Sequence, residues 1–236
     1  LIATDVDNGH SLTFSLDGAA PEGLSLAADG SWTFDSNLYE YQALSEGEES
    51  EFAIGYTVTD EHGAASQSTL TVSLTGTNDR PVTTSHWAEV TEGETATGQL
   101  IGLDQDHGAQ LSFAVEGDPP AGFSLAADGS WSFDASNGAH DHLTGGAWEI
   151  VEIPFALSDE HGATISSFML VVVHGSNDAP SLSGAPTQLI AGTEDTPYVV
   201  TQQELLAGWS DPESGLIAMD LSATGATVTA NEDGSF

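Results

Sequence analysis

Hydrophobic and polar residues alternate with a period of two along most of this chain. Phe, Ile, Tyr and Val occupy every second position of residues 52–58, with Ala, Gly and Thr between them. Residues 12–16 and 70–74 alternate in the same way. Because successive side chains of a strand point to opposite faces, this pattern predicts strands with one face on a core and the other in water. Turn signals such as Asp29-Gly30 separate the predicted strands.

The pattern repeats with an offset of 99 residues. Residues 3–35 are similar to residues 102–134, and the sequence DEHGA at residues 60–64 recurs at residues 159–163. Self-similarity at a fixed spacing indicates an array of similar modules. Each repeat holds about seven short predicted strands, which is typical of an antiparallel β-sandwich of immunoglobulin type.

The repeat divides the chain into three modules. The first, residues 1–79, lacks the counterpart of residues 81–101 and therefore its first strand. Residues 80–178 form a complete repeat, and residues 179–236 form a third, divergent and truncated one. We expect a segment of a longer protein, without a signal peptide and without an apolar run long enough to cross a bilayer. Pro81 stiffens the short first linker.

Little helix is predicted. The best candidate follows Thr201, which can cap a short helix together with Glu204, and Gly208 can end it. Short helical turns are also expected around residues 39–44 and 139–143.

The charge of the chain is extreme. It carries 37 acidic residues against one basic residue, Arg80, for a formal charge of −36. Nucleic acids and anionic membranes are bound through Lys and Arg, so we expect no nucleic-acid partner and no membrane insertion. Repulsion on this scale destabilises a compact fold unless cations neutralise it. The acids therefore indicate a salt-adapted, soluble surface, a set of carboxylates that binds a divalent cation, or both.

Two acidic loops offer ligands for such a cation. The sequence DVDNG at residues 5–9 has the counterpart DQDHG at residues 104–108. Two carboxylates at positions i and i+2, followed by a glycine turn, can direct oxygen atoms at Ca²⁺, a hard cation that tolerates irregular geometry. Such triplets are also common as plain turns, because Asp and Asn bond to their own backbone. The chain has no cysteine, which excludes thiolate metal sites and disulfides.

Other acidic residues recur at the ends of predicted strands. Strand ends gather at the two ends of a sandwich, so carboxylates that are distant in sequence can meet there. We expect Asp104, Asp106 and Asp159 at one end of the second module, and Glu92, Asp134 and Asp178 at the other. The alternative is that all of these acids only cap turns and keep the protein soluble.

Four motifs together resemble known families: ATDVDNG at residues 3–9, DGSWTFD at 29–35, TDEHGA at 59–64 and GTNDRP at 76–81. They are similar to the VCBS and cadherin-like repeats of large bacterial RTX-type surface adhesins. The third module resembles a more divergent cadherin-like module. The resemblance implies an all-β fold of tandem immunoglobulin/cadherin-like antiparallel β-sandwich modules, with Ca²⁺ bound between neighbours.

The resemblance also implies which residues would bind the ions. The first junction would use Asp35, Asn78, Asp79, Asp104, Asp106 and Asp159. The second would use Glu92, Asp134, Asn177, Asp178, Asp211 and Glu213. The remaining ligands, Asp5, Asp7 and Asp60, would face a preceding module. Gly76 and Gly175 stand where cadherin linkers have an acid, which favours roughly one or two ions per junction.

No catalytic motif is evident. The nucleophile elbow GxSxG and the zinc motif HExxH are absent, and a phosphate-binding loop needs a lysine that this chain lacks. Tandem repetition also argues against an enzyme. Trp32 and Trp131 alternate with phenylalanines, so we expect them in the core rather than on a sugar-binding surface.

These observations predict calcium-rigidified extender modules of a secreted bacterial adhesin, at the cell surface, that support cell adhesion and biofilm formation. The expected partners are Ca²⁺ and neighbouring repeats, and the adhesion ligand would bind a distal domain outside this segment. Two alternatives stay open: a module that itself binds glycans or another copy, and an accessory region of a secreted hydrolase. An exposed aromatic cluster would favour the first alternative, and Trp87 and Trp148 are its candidates.

Overall fold

A computed structural model describes residues 1–6, 11–185, 188–224 and 227–236. It consists of short and medium strands with two helices of a single turn each, α1 (Tyr39–Gln42) and α2 (Gln202–Leu205). The strands fall into three sets along the chain. In the described ranges, every strand pairing joins members of one set. We call the segments that carry these sets the first, second and third modules.

The first module contains two small sheets, ordered β1-β4-β5 and β2-β3. Its strands are β1 (Thr13–Leu16), β2 (Leu24–Leu26), β3 (Trp32–Phe34), β4 (Glu49–Thr59) and β5 (Ala65–Thr75). The alternation predicted for β4 and β5 is confirmed. Ile54 and Val72 are buried, while their strand neighbours Ala53, Thr71 and Ser73 are exposed. Tyr41 of α1 closes this core, and its hydroxyl donates to the carbonyl of Glu22 at 2.8 Å.

The second module is the complete sandwich. One sheet is ordered β10-β13-β14-β7, a second is ordered β11-β12-β8, and β6 pairs with β9. Its strands are β6 (Val82–Thr83), β7 (His86–Thr91), β8 (Thr95–Gln99), β9 (Gly102–Leu103), β10 (Ser112–Val115), β11 (Phe123–Leu125), β12 (Ser130–Asp134), β13 (Trp148–Ser158) and β14 (Thr164–His174). Ile153, Phe155 and Phe133, from the two facing sheets, are fully buried in one core. Burying each such side chain contributes about 1.5–3 kcal/mol.

One pairing departs from the antiparallel pattern. Strand β7 runs parallel to β14, with His86 opposite Met169 and Thr91 opposite His174. The second strand of this module therefore lies beside its last strand.

The expectation that both tryptophans of the DGSW motif lie in the core is wrong for Trp32. Trp131 is half-buried, and its indole lies so close over Gly98 of β8 that a Cβ atom there would sit 2.6 Å from the ring. Trp32 is 41% exposed. In the described part of the first module no strand corresponds to β8, so the equivalent indole is not covered by a neighbouring strand on that side.

The third module is less regular. Its strands β15 (Ser181–Leu182) and β16 (Trp209–Ser210) pair with each other. The predicted capping box is confirmed, because Thr201 Oγ1 accepts from the Glu204 N–H and the Glu204 carboxylate accepts from the Thr201 N–H. The helical turn expected at residues 139–143 is instead a non-helical turn, in which the Leu143 N–H donates to the His140 carbonyl.

Candidate metal-binding junctions

The linker between the first two modules meets two loops of the second module. Asn78 and Asp79 follow β5, Asp104 and Asp106 follow β9, and Asp159 follows β13. We call these five residues the first junction. Its members are brought together because β9 and β13 both end at the side of the second module that faces the linker.

Three hydrogen bonds organise the first junction. The backbone N–H of Asp79 donates to Oδ2 of Asp106 at 2.8 Å. The N–H of Asp106 donates to Oδ1 of Asp104 at 2.9 Å, which folds the loop into a turn. The side-chain amide of Asn78 donates to Oδ2 of Asp159 at 3.0 Å, so each linker residue contacts a different loop of the next module.

Several oxygen atoms of the first junction are buried without a partner. Asp106 is 7% exposed and Asp159 is 8% exposed. Oδ1 of Asn78, Oδ2 of Asp104 and Oδ1 of Asp106 accept no hydrogen bond. A buried acceptor without a donor costs about 1–3 kcal/mol, and more when it is charged. A bound cation or additional donors would compensate these atoms for their loss of water.

The pKa values of two carboxyl groups in the first junction are shifted in opposite directions. Burial raises the pKa of the Asp79 carboxyl, and the nearby carboxylates of Asp106 and Asp104 raise it further. Burial also acts to raise the pKa of Asp159. Hydrogen bonds from Asn78 and from the backbone N–H groups of Ala163 and His161 outweigh that effect, so the pKa of Asp159 lies below its usual value.

Contacts outside the acidic set also join the first two modules. The His107 N–H donates to the carbonyl of Ala43 at 2.9 Å, and Oγ of Ser45 donates to the His107 carbonyl at 2.7 Å. His107 Nδ1 lies 3.1 Å from Oε2 of Glu48, and His161 Nδ1 lies 3.1 Å from a carboxylate oxygen of Glu46. No sequence motif indicated these contacts, since residues 43–48 belong to a loop without a distinctive pattern.

The second junction consists of Glu92, Asp178, Asp211 and Glu213. One carboxylate oxygen from each of Glu92, Asp178 and Glu213 lies within 4.8 Å of the others. The Asp178 N–H donates to both oxygens of Glu213 at 3.0 and 3.1 Å, and Glu92 accepts from the Ser176 N–H at 3.0 Å. Glu92 is 6% exposed, although its side chain is a carboxyl group. Three carboxylates at this separation repel one another strongly unless a cation lies between them.

The two junctions share one hydrogen-bond pattern. In each, the linker Asp donates its backbone N–H to the second acid of a D-x-[DE] loop in the next module. In each, the first acid of that loop, Asp104 or Asp211, accepts from the N–H of the second. Different sequences, DQD and DPE, therefore build the same arrangement.

Among the described residues, unpartnered buried oxygen atoms are confined to these two places. In the described part of the chain, the buried side-chain nitrogen or oxygen atoms without a hydrogen bond belong to the first and second junctions. They are Asn78 Oδ1, Glu92 Oε1, Asp104 Oδ2, Asp106 Oδ1 and Asp178 Oδ2.

Other residues from the predicted ligand sets lie in different environments. Asp35 and Asp134 accept from the backbone N–H groups two residues later, and within the described residues no hydrogen bond joins them to a junction. The hydroxyl and the backbone N–H of Ser136 both lower the pKa of Asp134, and the hydroxyl contributes most. Asn177 is exposed, and its amide donates to the Asp178 carbonyl.

The acids predicted to face a preceding module lie at the far end of the first module. Asp60 accepts from the N–H groups of His62 and Ala64, as Asp159 does from His161 and Ala163. Asp5 lines the same surface depression as Asp60. Asp7 lies outside the described residues.

The donor atoms of both junctions are oxygens from carboxylates and one amide. Such a set suits Ca²⁺, which binds carboxylate and carbonyl oxygens in irregular, multidentate arrangements. It offers no thiolate or imidazole to a softer metal. The residues present therefore fit a calcium ion at the second junction, where three carboxylates lie within 4.8 Å of one another. The first junction offers oxygen donors of the same kind, three of them buried and unpartnered, without a carboxylate cluster among its described residues that is equally close.

The fold and the junctions together define a class of protein: tandem β-sandwich modules of immunoglobulin and cadherin type, joined by acidic linkers. The chain belongs to the bacterial Ig domain family, whose model matches residues 1–73 and 78–172. A cadherin-like domain model matches residues 176–236. These models describe non-catalytic domains, of a kind typical of surface and secreted proteins. The predicted all-β fold of tandem sandwich modules is confirmed.

A solved cadherin structure shares this fold. The human CDH23 fragment EC21-23 is 17% identical, with a TM-score of 0.53, and the match covers 86% of this chain and 74% of that one. The extracellular domain of protocadherin GammaB4 is 19% identical, with a TM-score of 0.44, and the match covers 86% of this chain. This chain spans 35% of the length of that protocadherin structure. No curated protein sequence matches the chain.

No helix among the described residues is long and apolar enough to cross a membrane.

Proposed function

We propose that this chain is a calcium-rigidified extender segment of a secreted bacterial surface adhesin. In this proposal the modules span residues 1–79, 80–178 and 179–236, and their junctions bind Ca²⁺. The segment spaces a distal ligand-binding domain from the cell and supports adhesion and biofilm formation. The RTX-type, VCBS-like character suggested by the sequence motifs belongs to this proposal.

One observation carries the proposal. The buried, unpartnered oxygen atoms of the described residues belong to the residues where two modules meet. Plain turn capping does not explain them, because turn-capping acids such as Asp128 are exposed and bonded to their own loops. A cation at each junction compensates these oxygens and joins two modules at the same time.

The physical effect of the ion is to replace repulsion by attraction. Two carboxylates about 4 Å apart repel by about 1 kcal/mol in water and about 4 kcal/mol near a protein surface. Glu92 and Asp178 are close in space to Glu213 of the following module, so repulsion pushes those modules apart. Bound Ca²⁺ reverses the sign of this interaction and fixes the angle between modules.

Calorimetry and small-angle scattering on the 236-residue chain test this proposal. We expect Ca²⁺ to bind with heat exchange and to increase the maximum dimension and the stiffness of the particle, and a chelator to reverse both effects. Sodium chloride at matched ionic strength is the control for general screening of the −36 charge. Equal effects of sodium chloride and calcium chloride, or no calcium binding at millimolar concentration, would contradict the proposal.

A further inference from the structure

The outer face of the second module's larger sheet is apolar, although it is exposed. It is formed by alternate residues of β13, β14 and β7, whose intervening residues point into the core. The residues of this surface, here called the apolar face, are Trp87, Trp148, Ile150, Pro154, Phe168, Leu170 and Val172. Trp87 is 69% exposed, Trp148 60%, Ile150 53% and Phe168 48%.

The strand register makes these residues neighbours. Trp87 lies opposite Leu170, and Leu170 lies opposite Glu152. One step along the sheet, Ile150 lies opposite Val172, and Val172 lies opposite Glu89. The apolar residues are therefore one continuous surface across three strands and not scattered single side chains.

The first module shows that the fold does not need this surface. In the same register its β4 and β5 strands carry Glu51 opposite Ser73, Ala53 opposite Thr71 and Gly55 opposite Thr69. Glu51 and the three β5 residues are exposed. Polar side chains at these positions are thus compatible with the sheet, and an apolar replacement in the second module exposes hydrophobic area to water without gain for folding.

The chemistry of the apolar face favours a protein partner. Contiguous exposed apolar patches mark interaction sites, and tryptophan is enriched among the residues that contribute most of the binding energy at protein interfaces. A sugar presents hydroxyl groups, which Ile150, Leu170 and Val172 cannot satisfy. These aliphatic residues lie between Trp87 and Trp148, so a glycan that contacted both tryptophans would also have to cover them.

The negative charge of this chain favours a basic protein partner over a second copy of the chain. Glu89 and Glu152 are exposed within the apolar face, and the only lysine or arginine of the chain is Arg80. His174 Nε2 lies 3.5 Å from Oε2 of Glu89, whereas Glu152 has no such neighbour among the ion pairs of the described residues. A second copy would bring another charge of −36 and its own Glu89 and Glu152 to the interface. A partner with Lys or Arg beside its apolar residues would instead pair with Glu152, and with Glu89 next to His174.

We propose that the apolar face of the second module docks a protein segment that presents apolar side chains flanked by lysine or arginine. This interaction does not depend on calcium, because no junction residue belongs to the surface. It gives the second module a binding role that the first module, with its polar outer face, does not share.

The test uses a random peptide library displayed on phage and selected on the 236-residue chain. The comparison variant is Phe168→Thr, Leu170→Thr and Val172→Ser, which installs the residues found at positions 69, 71 and 73 of the first module. The matched control is Val82→Thr, Ile101→Thr and Leu103→Thr, which removes three apolar residues exposed elsewhere on the same module. Both variants are first checked for an unchanged circular dichroism spectrum, and synthetic copies of enriched peptides are then titrated.

We expect enriched peptides to combine apolar with basic residues, and to bind the comparison variant at least about tenfold more weakly than the native chain and the control. Their affinity should be the same in calcium and in chelator. Three results would overturn the proposal: no peptide that discriminates between the variants, dimerisation of the native chain that the comparison variant abolishes, and binding of neutral oligosaccharides that the comparison variant abolishes.

Discussion

The backbone N–H of Asp79 donates to the carboxylate of Asp106 across the boundary between two modules, at 2.8 Å. The donor lies in the linker and the acceptor in a loop of the next module. A backbone donor has no side-chain freedom to lose, so this bond fixes the course of the linker directly. The same bond joins Asp178 to Glu213, which indicates that each junction is built half from each neighbour.

Asp106→Asn is expected to weaken calcium binding at the first junction. The asparagine oxygen can still accept from the Asp79 N–H, but the charge that a cation needs is lost. We expect an affinity loss of about tenfold or more, measured by calorimetry. Asp128→Asn is the matched control, since Asp128 is exposed and, among the described contacts, its carboxylate accepts only from Ser130. Equal losses in both variants would point to general electrostatics instead of a site.

Glu92→Gln is expected to change stability in opposite directions with and without calcium. In chelator the variant removes one of three mutually repelling carboxylates, so the free energy of unfolding should rise, by up to about 1–4 kcal/mol. In calcium it removes a ligand, so the free energy of unfolding should fall below that of the native chain. Urea titrations in both conditions give these values. The exposed Glu94→Gln, in the same turn, should show no such reversal, and a Glu92→Gln variant without the reversal would argue against a cation at the second junction.

Gly98→Ala should destabilise the second module. The new Cβ atom would lie 2.6 Å from the Trp131 ring, so the indole or the strand must move. Overpacking of this kind costs about 1–3 kcal/mol, against about 0.4–1 kcal/mol gained from the less flexible unfolded chain. Gly145→Ala is the control, because the nearest atom to its Cβ is the Asn177 nitrogen at 3.8 Å. Thermal unfolding of both variants provides the comparison, and equal stabilities would show that the indole does not pack on Gly98.

The turn acids Asp29 and Asp128 should titrate below the usual aspartate range. The hydroxyl and the N–H of the serine two residues later lower the pKa of each carboxyl from 3.8, the hydroxyl most. Because the folded-state pKa is depressed, the stabilisation is present above the ordinary pKa and is lost as the pH falls through the lowered one. Ser130→Ala should raise the pKa of Asp128 and leave that of Asp29 unchanged, as carbon-detected NMR titration can measure. A rise at both residues, or at neither, would contradict this account.

The sequence predicted the strands well because alternation depends only on which side chains face the core. It placed Asp104, Asp106 and Asp159 together, since strand ends of a sandwich are neighbours. The sequence could not distinguish the acids whose side chains lie in a junction from those that accept hydrogen bonds from their own loop. Asp35 and Asp134 follow strands as well, but each accepts from the backbone two residues later, which is a local preference that competes with a distant site.

Two other features of the structure could not be predicted from the alternation of hydrophobic and polar residues. The exposure of Trp32 depends on a strand that covers Trp131 but has no counterpart in the described first module. The contacts of His107 and His161 with Glu48 and Glu46 depend on the angle between two modules, which no periodicity encodes. In both cases the environment is set by a segment distant in sequence.

The parallel pairing of β7 with β14 has a mechanical consequence. Tension on the two ends of the second module pulls the start of β7 one way and the end of β14 the other. The hydrogen bonds between them, which span six register positions from His86 to Thr91, are then loaded in shear and must break together. An antiparallel pair at the same place would be peeled apart one bond at a time, so we expect this module to resist pulling forces, as single-molecule extension can measure.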